Sequence, residues 1–191
     1  MKAFSKLVVM TLSMILAACA NPLNQVTSDR YSESCAQAER SGRINIAEQA
    51  CYRALVNVDL GNLGEVEKSQ KMYNLARIKR QLQKFDEAEK LYIDSLAIEE
   101  RQPQPSNERI GRRLAELAIS YAQEKKYDEG APYVERLYTS AIPYQGIERK
   151  TVAAIFYAYS QELPATAPGE VRNKLERKAV EMGFDPKTYR E

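Results

Sequence analysis

The 191-residue chain contains no histidine. That absence removes the residue used most often as a general base near neutral pH and most often as a metal ligand. A glycine-rich phosphate loop, a nucleophile elbow and the spaced ligands of a zinc site are missing as well. Cysteine is scarce: Cys19, Cys35 and Cys51 are the three present. An excess of one charge is lacking too. The formal net charge is +2, and Lys2 and Lys6 account for all of it, so residues 19–191 are formally neutral. Such a chain offers nothing to attract nucleic acid or another polyanion. Acidic pairs are what remains for catalysis. Glu87 with Glu89, or Glu99 with Glu100, are the candidates for a glycosidase, which needs two carboxyls facing across a cleft. On a helix these side chains fall on exposed faces, and Glu87 is spaced to pair with Lys84 or Lys90. The sequence therefore reads as non-enzymatic, with no metal and no cofactor.

Long hydrophobic runs are also absent. The longest, residues 7–16, is too short for a comfortable membrane span and follows the positive start supplied by Lys2 and Lys6. It ends in Leu16-Ala17-Ala18-Cys19. Small residues before a cysteine at the end of such a run resemble the bacterial lipobox. The resemblance implies a signal peptide over residues 1–18, cleavage before Cys19, and lipid on its sulfur and amine, a covalent attachment in place of any dissociable cofactor. Several acyl chains on one residue anchor a protein stably, where a single chain does not. Ala20, rather than aspartate, follows the cysteine, and by the same analogy the destination is the outer membrane, facing the periplasm. The competing reading is an ordinary secretory signal with Cys19 incidental. Residues 19–29, which include NPLNQVTS, read as the lipidated cysteine and a polar tether.

The rest is patterned for helices. Residues 74–98, NLARIKRQLQKFDEAEKLYIDSLAI, place Leu75, Ile78 and Leu82 at helical spacing, then Ala88, Leu91, Tyr92, Ser95 and Leu96. The periodicity breaks at Lys84-Phe85-Asp86-Glu87, with Asp86 positioned to cap a new helix. Two amphipathic helices joined by a tight turn form a hairpin, and neither can bury its apolar face alone. Ala88 stands near the turn, where two backbones must approach.

Leu75-Ala76, Phe85, Ala88, Tyr92 and Ser95-Leu96 make this stretch resemble a tetratricopeptide repeat. The pattern recurs. Leu117-Ala118, Tyr121, Tyr127, Asp128-Glu129, Gly130, Val134 and Leu137 repeat it 42 positions on, and Gly42, Ile44, Ala47, Cys51 and Ala54-Leu55 precede it by 41. The commonest period is about 34. The longer stride, with a QPQPSNER connection, is similar to the repeats of kinesin light chains. The resemblance implies an all-α, tetratricopeptide-like α-solenoid of about four helical hairpins, roughly seven or eight helices. Three repeats would occupy residues 30–143, and a degenerate fourth with a C-terminal capping helix residues 144–191. Predicted helices run over residues 67–83, 86–101, 108–124, 128–140 and 170–182. Pro132 falls in the first turn of its helix, and Gly183 ends the last one.

The first hairpin, residues 30–59, turns near Ser41-Gly42-Arg43 and carries Cys35 and Cys51, seven residues before Gly42 and nine after it. Equal rise on both helices brings the two to nearly the same height. In an oxidising compartment that pair can form a disulfide. Two buried free thiols are the alternative, and a metal site finds too few ligands. A solenoid also offers a concave surface lined by the first helix of each repeat. The repeat register assigns Tyr73, Asn74, Arg77, Arg80, Arg112, Glu116 and Ile119 to it, where Asn74, Arg77 and Arg112 can engage a carboxylate or carbonyls. The lysine-asparagine clamp of chaperone-binding members is not reproduced, since Tyr73 and Arg77 stand in its places. These polar residues can equally be solvated surface. A second candidate surface is the tyrosine-rich end, Tyr133, Tyr138, Tyr144, Tyr157 and Tyr159, which fits either an interface or a core. The resulting expectation is a lipid-anchored periplasmic scaffold that binds envelope proteins or peptides, contacts the membrane through its lipid and leaves nucleic acid alone. A specific version resembles the pilotins that assemble secretins of type IV pili. The competing class is an enzyme acting on peptidoglycan.

Overall fold

A computed structural model of the chain describes residues 20–140, 142–164 and 168–187. Cys19 and the segment before it lie outside the described residues. Among the described residues are eight helices and no strand. They are α1 (Pro22–Arg40), α2 (Ile44–Gly61), α3 (Glu65–Gln81), α4 (Phe85–Glu100), α5 (Asn107–Gln123), α6 (Tyr127–Thr139), α7 (Gly146–Glu162) and α8 (Gly169–Glu181). No described helix is long and apolar enough to cross a membrane. The chain divides into two compact units, one ending at Leu75 and the other beginning at Ala76, so the boundary falls inside α3.

In the first unit α1 starts earlier than the sequence pattern suggests. Residues 22–29, expected as tether, are its first two turns. The reason is local chemistry. Pro22 occupies the position where its missing N–H costs nothing, and Asn21 Oδ1 accepts the Leu23 N–H at 3.0 Å. The helix then buries Ser28, whose hydroxyl donates to the Ala54 carbonyl of α2 at 2.9 Å. A disulfide joins Cys35 to Cys51 with their Cα atoms 5.2 Å apart. A cross-link closing so short a loop contributes about 3 kcal/mol in the chain-entropy model. The start of α3 is held in this unit by Lys71, whose ammonium lies 3.5 Å from Asp29 and 3.4 Å from Glu67, and by Lys68 at 2.8 Å from Asp59.

Three turns share one backbone solution at the 41- and 42-residue stride. Gly42, Gln83 and Lys125 take φ of 71°, 59° and 59°. The next residues, Arg43, Lys84 and Lys126, cap the following helix with ψ of 64°, 63° and 58°. Each donates its N–H to the carbonyl five residues back, Ala38, Lys79 and Tyr121, at 2.9 Å. Because the backbone itself closes these turns, no side-chain cap is needed. Asp86 accordingly stands inside the first turn of α4, where its charge favours the helix dipole, and does not cap it. Pro132 likewise lies one turn deeper than the pattern predicts, as the sixth residue of α6. Ser106 does cap α5, accepting the Arg109 N–H at 3.3 Å.

Beyond each of these turns a small buried residue, Ala47, Ala88 or Gly130, lets the helices approach. The third is glycine for a visible reason. A Cβ there would land on the Tyr159 hydroxyl and within 2.9 Å of Tyr121 Cβ. That hydroxyl donates to the Ala118 carbonyl at 2.8 Å, so α7 is stitched to α5 through the gap the missing methyl leaves. The last hairpin closes on Gly183, at φ 91°, with Phe184 N–H donating to Ala179 at 3.0 Å. Arg149 of α7 donates from Nε and Nη2 to the Met182 and Glu181 carbonyls, both at 3.0 Å, and so completes the end of α8. Gly130→Ala should therefore lower stability by roughly 1–3 kcal/mol in urea melts although alanine is the better helix former. Unchanged stability would mean the Tyr159 contact does not set this residue.

Candidate functional site

Of the residues assigned to the concave face, Tyr73 and Asn74 close the first unit, where Gln70 donates to the Asn74 side chain at 3.1 Å. Arg77, Arg80, Arg112, Glu116 and Ile119 belong to the second unit, and the candidate site is built there. The structure does not leave its cations open to a ligand. Glu116 of α5 sits 2.9 Å from Arg80 Nη2 and 3.8 Å from Arg77 Nε, and it accepts the Tyr92 hydroxyl at 3.1 Å. Arg80 also donates to Gln123 Oε1 at 3.1 Å. Burial works against the Arg80 charge, yet Glu116 and Tyr92 outweigh it and hold the guanidinium above its ordinary pKa. Arg112 of α5 is shared between Glu108 at 2.6 Å and Glu148 of α7 at 2.8 Å. These side chains lace the first helix of one repeat to that of the next.

Between the laced positions lies an apolar trough of about 330 Å³. Ile119 and Ala122 of α5 form one wall, and Thr151, Ala154, Ile155 and Ala158 of α7 the other. Of the expected groove, Ile119 lines this trough. Its partners on α7 went unassigned, although 151, 154, 155 and 158 follow the spacing of a single helix face. Alanines there keep the floor low, and Ile119, Ala122 and Ala154 are half-buried.

The acidic pairs offer no catalytic arrangement. Glu99 is fully buried, contrary to the exposed placement read from the sequence. Its carboxylate receives Arg113 Nη2 at 3.0 Å and Arg109 Nε at 2.8 Å, while Arg113 Nε donates to Ser95 Oγ at 2.6 Å and its Nη1 to the Arg109 carbonyl at 2.8 Å. This network joins α4 to α5 and satisfies both charges. The clue was available: Tyr92, Ser95, Leu96 and Glu99 share one spacing, so Glu99 lies on the core face of α4. Glu100 pairs with Arg136 of α6. Glu87 pairs with Lys79 at 2.5 Å across the turn, and Lys90, one of its expected partners, pairs with Asp94. Among the described residues no cluster of acidic or cysteine side chains could hold a metal.

At the tyrosine-rich end, Tyr157 and Tyr159 are core. Tyr157 stacks on Phe184 with ring centres 4.6 Å apart. Tyr133 stacks on Tyr121 at 5.6 Å, and the Lys174 ammonium stands 4.1 Å over the Tyr138 ring. Burial, then the Glu89 carboxylate that accepts its hydroxyl, pushes Tyr121 far above the ordinary tyrosine pKa; burial does the same for Tyr159. Both remain neutral donors at physiological pH. A cleft of about 260 Å³ between α6 and α8, lined by Pro132, Tyr138, Val171 and Lys174 among others, is an apolar recess near this end.

Known proteins share the repeat pattern and the fold. Residues 67–141 match the tetratricopeptide repeat family. No curated protein matches the chain. Among solved structures, BtubC (BKLC) from P. vanneervenii is similar at 20% identity and a TM-score of 0.70, over 85% of this chain and 67% of that one. A Podospora anserina protein described as a kinesin light chain with nearly identical TPR-like repeats aligns at 15% identity and a TM-score of 0.63, over 86% of this chain and 77% of its own. At these identities the likeness concerns the fold.

Glu99→Ala should lower stability by about 3–5 kcal/mol, since it strands a buried guanidinium, whereas Glu99→Leu with Arg113→Met should recover most of that loss. Urea melts of both variants check this, and a harmless Glu99→Ala would contradict the burial of the pair.

Proposed function

We propose that this chain, which carries tetratricopeptide repeats of the long-stride kinesin-light-chain type, is a lipid-anchored scaffold of the bacterial envelope that grips a protein partner along α5 and α7. Repeats of this family generally mediate contacts between proteins and are typically non-catalytic. The observation that carries the reading is the trough itself. Its walls are apolar, its flanking charges are already neutralised by one another, and its floor is low enough to admit side chains of an incoming segment. The occupant is an apolar side chain or two on an extended or helical stretch of an envelope protein. Terminal-carboxylate capture is a poorer fit, because Arg77, Arg80 and Arg112 each hold an internal acid.

The anchor rests on Leu16-Ala17-Ala18-Cys19 and the short apolar run before it. Ala20 favours the outer membrane, with the repeats in the periplasm. Assembly of a membrane machine, in the manner of a secretin pilotin, is the specific role that suits such a scaffold. Ile119→Asp should abolish co-purification of the partner crosslinked in cells while leaving the helical circular dichroism unchanged. Retained capture would move the binding surface away from α5. Cys19→Ala should release the protein into the soluble fraction, and continued retention in membranes would remove the anchor.

A further inference from the structure

Leu23 and Leu60 are the most exposed large apolar side chains among the described residues, at 76% and 72%, and Val26, one turn beyond Leu23 in α1, is half exposed. They stand at one end of the α1–α2 hairpin. There Asn21 N–H donates to the Gly61 carbonyl at 2.9 Å and Asn24 Nδ2 to Asn57 Oδ1 at 3.3 Å. That end is also the one next to the anchor. Pro22, the first residue of α1, is three positions beyond Cys19. Three extended residues span about 10 Å. With no tether, the end of the hairpin cannot move far from a lipid on that cysteine.

From these positions we infer that the Leu23–Leu60 end of the hairpin is itself a lipid-binding surface, seated in the headgroup and upper acyl region of the bilayer beside the anchor. The inference rests on the lipidation of Cys19. The chemistry of the end suits it. Residues 20–28 contain no charged side chain, and Asp59, the one charge in the last two turns of α2, is paired with Lys68 at 2.8 Å; the exposed acid Glu65 follows only at the start of α3. Backbone and amide groups that would resist leaving water find partners in each other. Leucines so exposed are little covered by their own unit, and insertion removes them from water. Contact by apolar surface, with no basic patch, makes the seating insensitive to salt and to anionic lipid. The opposite end of the hairpin, at Ser41 and Gly42, then points into the aqueous phase.

The chain lacks tryptophan, so single replacements report their own surroundings. Leu23→Trp, Leu60→Trp and, at the far end of the hairpin, Ile46→Trp are made in the full chain. Each is produced with its leader in bacteria, checked for lipid on Cys19 by intact mass, and reconstituted in phosphatidylcholine vesicles with brominated acyl chains. Tryptophan at 23 and 60 should shift to shorter wavelength and lose most of its fluorescence to bromine in low and high salt alike, while Ile46→Trp is unaffected. A lipidated, floating protein whose three probes all report water overturns this inference and leaves the anchor standing. A shift at 23 and 60 that does not need vesicles and is not quenched by bromine assigns the patch to a second copy and equally overturns it. Absence of lipid on Cys19, with no flotation, overturns the anchor and the inference together.

Discussion

Each helix here carries an apolar stripe that it cannot cover alone, and the two backbones of a hairpin can close on one another only where a side chain is nearly absent. That steric constraint recurs at Ala47, Ala88 and Gly130, each a few residues past a turn with one left-handed residue and one five-back hydrogen bond. Most of the remaining architecture follows. The turn fixes the start of the second helix, the small residue fixes its distance, and the apolar positions at three- and four-residue spacing fall into register. Where the third turn faces Tyr159, the allowance shrinks from a methyl to a hydrogen.

The charged residues do a related job between neighbouring repeats. Arg80 reaches Glu116, Arg112 reaches Glu148, and Arg136 reaches Glu100. Deeper in, Glu99 is shared by Arg109 and Arg113 with almost no solvent. A buried pair of this kind is weak as a source of stability but costly to break. A helix slid by one position would strand a buried charge, at the cost of breaking such a pair. The same pairing neutralises the rim of the α5–α7 trough. A partner seated there, as proposed, would meet an apolar floor between self-satisfied charges, and its affinity would come from shape and burial more than from ion pairing.

Much of the fold was legible because it is repetitive. The stride between Ala47, Ala88 and Gly130 is visible without coordinates, and from residue 65 to residue 139 the helix bounds agree to within two residues. What escaped depended on neighbours. The pattern NPLNQVTS looks like a polar linker, yet Asn21 caps a helix that Pro22 begins, and the contacts of Asn21 and Ser28 with the Gly61 and Ala54 carbonyls of α2 hold it in place. Glu99 looks exposed until Arg113 is known to face it. Arg77, Arg80 and Arg112 do lie on α3 and α5, but single-helix register says nothing about the acids of the next repeat that they meet. Ile119 was legible as lining; the alanines of α7 opposite it were not, because short side chains carry little periodic signal.

The central claim is that the repeats hold a protein through the face between α5 and α7. The most direct measurement places a photoreactive amino acid at Ala122, in the trough, and at Glu135, which lines the α6–α8 cleft instead, and irradiates living cells that carry the full chain. The account predicts a discrete adduct with an envelope protein from position 122 and none from 135. Adducts of equal yield at both positions, or an adduct at 135 alone, would contradict it.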